Sequence, residues 1–195
     1  MTNERPVILV TNDDGVISPG IKALVEVAME FGDVVVVAPD SPQSGMGHAI
    51  TLENVLRVER VYQFGKDVLS YQCSGTPADC VKIAIDKIIK KKPDLCVSGI
   101  NHGSNSSINV IYSGTMSAAM EASIDGIPAV GFSLLDYSFE ADFTGAQHFA
   151  RLIIKQLLEN GLPSGCLLNV NFPKLSAEEI KGMRICRQAM ANWEE

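Results

Sequence analysis

Residues 7–15 read Val7-Ile8-Leu9-Val10-Thr11-Asn12-Asp13-Asp14-Gly15, a short apolar strand that runs into an acidic turn ending in glycine. From Gly20, apolar residues fall at Ile21, Leu24, Val25, Ala28 and Met29, the i, i+3, i+4, i+7, i+8 stripe of an amphipathic helix. Val34 to Ala38 then makes a continuous apolar run between Asp33 and Pro39, as expected of a parallel strand covered on both faces. Strand, turn, helix and strand complete one crossover unit, whose right-handed form builds a parallel α/β sheet.

The rhythm continues outward. Thr76-Pro77-Ala78-Asp79 supplies an N-cap, a proline at the first helical position and an acid at the third, and the stripe Val81, Ala84, Ile85, Ile88, Ile89 comes next. Lys90, Lys91 and Lys92 suit the C-terminal end of that helix, which Pro93 stops. Leu95 to Ser98, Ala129 to Leu134 and Leu167 to Val170 read as further strands, with Gly99 to Tyr112 as a polar loop. The small residues of Ser113 to Ala122, and Phe149, Leu152, Ile153 and Leu157, mark two more helices. Residues 51–72 break the pattern: Val55, Val58 and Val61, then Val68, Leu69 and Tyr71, flank Gly65-Lys66-Asp67 as in an inserted β-hairpin. The expected architecture is a Rossmann-like parallel sheet with helices on both faces and that hairpin added. With 195 residues, 1–195 reads as one domain.

Composition narrows the function. Sixteen Lys+Arg against 23 Asp+Glu leave a net charge of −7, which argues against a broad face for a nucleic acid polymer. No apolar run reaches the roughly 18 residues of a membrane span, and the polar Met1 to Arg5 lacks the basic start of a secretory signal. A cytoplasmic protein is the expectation. The five cysteines are odd in number and contain no Cys-x-x-Cys pair, which fits reduced thiols rather than a disulfide framework or a zinc site.

Ligands of such sheets bind beyond the C-terminal ends of the strands, so the loops there carry the chemistry. Asp13 and Asp14 come directly after the first strand; two adjacent carboxylates repel unless they are solvated, share a proton or meet a cation, and oxygen ligands suit Mg²⁺ or Mn²⁺. The motif alone is equally an Asp-Gly surface turn. The second strand leads into Asp40-Ser41-Pro42-Gln43-Ser44-Gly45-Met46-Gly47-His48, where serine and glycines permit close approach to an anion but also suit a flexible loop. The third loop holds Gly99-Ile100-Asn101-His102-Gly103, the spacing of a nucleophile elbow with a carboxamide in place of the nucleophile. Asn101 there can ligate a metal through oxygen or donate to a phosphate. Ser113-Gly114-Thr115 opens a helix, as an anion cradle, an ordinary N-cap or both. His48 and His102 are candidate acids or bases. Cys73-Ser74-Gly75 reads as a packed strand end before it reads as a thiol nucleophile.

Together, Leu9 to Gly15, Val37-Ala38-Pro39-Asp40 with Gln43-Ser44-Gly45, Ser74 to Val81, Ser98 to Gly103 and Tyr112-Ser113-Gly114-Thr115 closely resemble the SurE family of stationary-phase survival phosphatases. The resemblance implies a nucleotidase acting on nucleoside 5′- and 3′-monophosphates, in some members also on short polyphosphate. It implies one divalent ion, Mg²⁺ or Mn²⁺, held by Asp13, Asp14, Ser44 and Asn101. Asn105, Ser113, Gly114 and Thr115 are implied to hold the phosphate, with Asn12 and Gly45 as neighbours. Chains of that family usually continue beyond the point matching Trp193-Glu194-Glu195 with an arm that contributes to homodimer or homotetramer contacts, so the expectation for 1–195 is a SurE-like domain lacking that arm, with a hairpin that engages partner subunits.

The mechanism expected on these grounds is hydrolysis by water, with Asp13 or Asp14 as the residue that positions or deprotonates it and Asn105 orienting the phosphoryl group. A covalent aspartyl-phosphate on Asp13 is the mechanistic alternative, although Asp13-Asp14 lacks the Asp-x-Asp spacing of the haloacid-dehalogenase phosphatases. A non-catalytic nucleotide sensor on the same fold is the alternative of another class.

Overall fold

The Val, Ile and Leu runs lie in the middle of one seven-stranded sheet, in a computed structural model that describes residues 5–191. The strands are β1 (Val7–Thr11), β2 (Asp33–Pro39), β3 (Val58–Val61), β4 (Leu69–Cys73), β5 (Leu95–His102), β6 (Ala129–Leu134) and β7 (Leu168–Phe172). Their order is β3-β4-β2-β1-β5-β6-β7, and every pairing is parallel except β3 with β4. The helices are α1 (Pro19–Ala28), α2 (Pro77–Ile83), α3 (Asn109–Tyr112), α4 (Gly114–Ile124) and α5 (Thr144–Asn160), with α2 extended by a π turn over Ala84–Ile88.

Alternation along β1 sorts the two faces. Ile8 and Val10 pack with Ile21 and Leu24 of α1 and with Phe149 and Ile154 of α5. Leu9 points the other way, into Val81 of α2 and Met116, Ala118 and Ala119 of α4. Helices therefore cover both faces, and the all-apolar Val34 to Ala38 is buried because neither of its sides meets water. The start of α2 is as read: the Thr76 hydroxyl accepts from Asp79 N–H, and the Asp79 carboxylate accepts from Thr76 N–H.

Four boundaries differ from the sequence reading. The hairpin exists, but β4 enters the main sheet parallel to β2, which leaves β3 as the antiparallel edge; Val55 lies outside both strands and is exposed. Leu152 of α5 is exposed, and Ile154 takes the core position that the stripe had given it. β7 begins and ends later than Leu167 to Val170, because it pairs with β6 as far as Phe172. Finally, β5 continues through Gly99 to His102 instead of ending at Ser98, and Asn109–Tyr112 is helical, so only part of Gly99 to Tyr112 is loop.

That last difference shapes the site. Ser98 pairs with Gly131 and Asn101 with Ser133, so three steps along β5 match two along β6. The extra residue is a bulge, and it re-aims the side chains beyond it. Side chains three apart on a regular strand face opposite ways; here Ser98 and Asn101 share the α4 face, while Ile100 is buried in the α1/α5 core. The Gly99–Ile100 peptide within it is cis. Gly99 has φ +122°, and a Cβ there would sit 2.3 Å from the Phe132 carbonyl oxygen, so glycine alone fits.

Candidate active site at the C-terminal edge of the sheet

Because β2 and β5 flank β1 on opposite sides, the chain leaves the middle of the sheet in both directions and opens a crevice above β1. Asp13 stands at its floor, 4% exposed. Its Oδ1 accepts from the Thr115 hydroxyl at the start of α4, and Gly114 admits this closeness, since a Cβ there would lie 2.6 Å from Asp13 Cβ. Burial and, after it, the charge of Asp14 push the Asp13 carboxyl up to about 6, against the lowering pull of the Thr115 hydroxyl and backbone N–H.

Asp14 turns sideways: its Oδ2 accepts from the His102 backbone N–H at 3.2 Å and faces His102 Nδ1 at 3.2 Å. The opposite edge of that imidazole is closed by packing, with the Phe143 ring 5.2 Å away, and Nε2 is buried without a partner. Asn12 spends both amide hydrogens within the turn, on the Gly15 carbonyl and the Ser18 hydroxyl. Those bonds brace the turn, and its Oδ1 is buried without a partner.

Asn101 donates to the Gly103 carbonyl at 3.0 Å, which leaves its Oδ1 for a ligand. Asn105, 5% exposed, donates to the Ser133 hydroxyl at 2.8 Å. Ser113 caps α4 by accepting from Met116 N–H, while the Thr115 side chain is committed to Asp13. A cavity of about 180 Å³ is lined by Asp13, Ser44, Gly45, Asn101, Asn105 and Ser113, together with His102, Asn109 and Tyr112. Seven of the residues singled out from sequence, His102 among them, thus line one cavity. Asp14, Asn12, Gly114 and Thr115 stand behind or beside it.

The 43–51 loop is pinned from several sides. Gln43 N–H donates to the Asp13 carbonyl and Gly47 N–H to the Tyr112 carbonyl. His48 Nε2 lies 2.6 Å from Glu121 on α4, whose other oxygen accepts from Lys82 of α2 at 2.8 Å. Burial opposes ionisation of Glu121, but these partners outweigh it and hold its carboxyl below the usual range. His48 is therefore a clamp for the Ser44-Gly45 loop and not an acid or base on the cavity wall. Such a contact joins residues 73 positions apart, and no local spacing announces it.

The candidate ligands Asp13, Asp14, Ser44 and Asn101 all offer oxygen, and a buried carboxylate beside a second one is stabilised by a cation, so the donor set fits a hard divalent ion. Cysteine chemistry lies elsewhere. Cys73, Cys80 and Cys96 are buried, burial pushing the Cys96 thiol up to about 12, while Cys166 and Cys186 are exposed. Alkylation of the native protein is therefore expected to label Cys166 and Cys186 and leave phosphate release unchanged. Mass mapping beside an activity assay checks this, and inactivation that tracks Cys73 would overturn it.

Fold and site together define a class: an α/β protein that gathers paired carboxylates and carboxamides at the ends of parallel strands. Residues 8–195 match the family model for the survival protein SurE. Among curated relatives, the 5′-nucleotidase SurE of Christiangramia forsetii is 65% identical over all of this chain and 75% of its own length. That of Flavobacterium johnsoniae is 62% identical over 98% of this chain and 74% of its own length. The crystal structure of the SurE protein from Aquifex aeolicus superposes with a TM-score of 0.86 at 43% identity, over 95% of this chain and 73% of that one. The chain belongs to the SurE family.

Proposed function

We propose that the protein is a metal-dependent phosphomonoesterase that releases phosphate from nucleoside 5′- and 3′-monophosphates. The observation that carries this reading is the convergence of Asp13, Ser44, Asn101, Asn105 and Ser113 on one small cavity at the strand ends. The names of the curated relatives, 5′-nucleotidase SurE, support the nucleotidase activity.

Asp13, Asp14, Ser44 and Asn101 hold the divalent ion, Mg²⁺ or Mn²⁺. When bound, the ion supplies positive charge that offsets the charge developing on the phosphate oxygens. The second amide hydrogen of Asn105 and the backbone N–H groups of Gly45 and Gly114 orient those oxygens for in-line attack. One carboxylate of the Asp13–Asp14 pair takes a proton from the attacking water as the new P–O bond forms and the ester P–O bond breaks; the departing nucleoside oxygen ends protonated. Water rather than a covalent aspartyl-phosphate is favoured because Asp13-Asp14 lacks the Asp-x-Asp spacing of the haloacid-dehalogenase phosphatases.

The sequence carries no Walker lysine motif to neutralise a longer charged group. A diester would place a second substituent where the cradle receives a free oxygen. Monophosphates are thus expected to be cleaved faster than nucleoside triphosphates or diesters, with EDTA abolishing release and Mg²⁺ or Mn²⁺ restoring it. Phosphate release from a panel of 5′- and 3′-monophosphates, triphosphates, a diester and tripolyphosphate tests both points. Full activity without metal sinks the ion assignment, a preference for triphosphate or diester sinks the pocket reading, and nucleotide binding without turnover would favour the sensor. Among the described residues no helix is long and apolar enough to cross a membrane. The free cysteines suit a reducing, cytoplasmic setting, and the family resemblance supports a homodimer or homotetramer.

A further inference from the structure

β7 alternates in an unusual way. Leu168, Val170 and Phe172 face the α1/α5 core, while Asn169 and Asn171 face the other side, where strands seldom carry asparagine. Asn171 is in register with Ser133 of β6, and Ser133 with Asn101 of β5, so a row of polar side chains crosses three strands on the α4 face.

That row grips one residue. Asn105 N–H donates to Asn171 Oδ1 at 2.9 Å, the Asn105 carbonyl accepts from Asn169 Nδ2 at 2.8 Å, and Asn105 Nδ2 donates to Ser133 Oγ at 2.8 Å. Asn171 Nδ2 in turn donates to Asn169 Oδ1 at 2.9 Å, which fixes both amides in the orientation those bonds need. Asn105 sits in a loop where no neighbouring strand supplies backbone partners, so two side chains from β7 replace a ladder. Both main-chain groups and one amide hydrogen are spent, and the other amide hydrogen is left for the cavity that Asn105 lines.

We propose that Asn169 and Asn171 are positioning residues for phosphoryl transfer, acting through Asn105. The proposal rests on the reading of Asn105 as a phosphate donor. Holding a donor in place before substrate arrives removes the cost of ordering it during the reaction, and loss of a supporting partner of this kind typically costs about 10–100-fold.

A double-mutant cycle on the full chain tests it, with kcat and KM for a nucleoside monophosphate at saturating Mn²⁺, the inhibition constant of inorganic phosphate, and urea midpoints measured for every variant. Asn171→Ala is expected to lower kcat/KM about tenfold or more in the native background and less than about twofold in an Asn105→Ala background. It should also weaken inhibition by inorganic phosphate only where Asn105 is present. Asn171→Asp keeps the acceptor for Asn105 N–H but loses the bond to Asn169, so it is expected to recover part of the loss, and the urea midpoints separate that from a folding defect in the alanine variant. Equal losses in the two backgrounds, or equal losses for Asp and Ala, would make β7 a structural edge and overturn the positioning role. A damaging Asn105→Ala beside a harmless Asn171→Ala overturns this proposal alone. Near-normal turnover in Asn105→Ala removes the phosphate-donor reading and takes the proposal with it.

Discussion

Asp13→Asn is expected to lower kcat by about 10²–10³-fold and, in the same molecule, to stabilise the metal-free protein. The carboxyl lies at the floor of the site with Asp14 beside it, and its pKa rises from 3.8 to about 6 on folding. Folding therefore takes up a proton between those values. The contribution to stability is full below pH 3.8 and is lost as pH rises through about 6. At about 1.4 kcal/mol for each tenfold change in proton affinity, a rise of this size makes ionised Asp13 a burden of up to about 3 kcal/mol at about pH 8. Asparagine carries no charge, and its oxygen can still accept from Thr115. Urea unfolding in EDTA should show the variant more stable at about pH 8, with the gap closing as pH falls toward about 4. A variant no more stable than the parent at the alkaline end would mean that Asp13 is not strained in the free protein, and normal turnover at saturating metal would remove it from the ligand set.

The second large effect is expected at Gly99→Ala. Its φ of +122° already excludes an ordinary side chain, and the added Cβ would press on the Phe132 carbonyl of β6. Backbone cannot step aside as a side chain can, so a loss of about 3 kcal/mol or more is expected. The damage falls where β5 hands Asn101 to the cavity, and a misplacement of about 1 Å can cost about a hundredfold in rate. Folding stability and kcat should fall together. A variant within about 0.5 kcal/mol of the parent would show that the strands part more readily than their geometry implies.

The features legible in the sequence are those set by local physics. Val34 to Ala38 could be read as a covered strand because burial on both faces demands an unbroken apolar run, and Thr76 to Asp79 as a helix start because a capping box is complete within four residues. The loops bearing Asp13, Ser44, Asn101 and Asn105 were found by where such sheets bind, together with the family resemblance. The bulge was not legible. Gly99 reads as an elbow or a strand end, and only the pairing to β6 shows that one inserted residue puts Asn101 on the same face as Ser98. Asn169 and Asn171 are not legible for a related reason: the apolar pattern of Leu167 to Val170 leaves Asn171 outside the strand, and the partner of both lies 64 and 66 positions away. His48 reads as a candidate acid or base because it sits in a loop at a strand end, yet its Nε2 is engaged by Glu121.

The place of β7 in the sheet has a consequence for how the enzyme fails. It pairs with β6 alone among the described strands, and Asn169 and Asn171 are only half-buried. Edges open at lower free energy than interiors, so β7 can detach transiently while β1, β2 and β5 stay closed. On the proposed role of Asn105, each opening would free that residue and stop turnover with the core still folded. Heat inactivation should then run ahead of the loss of helical signal. By the reciprocity of linked equilibria, phosphate bound at the cavity would slow hydrogen exchange at β7 amides that it never touches.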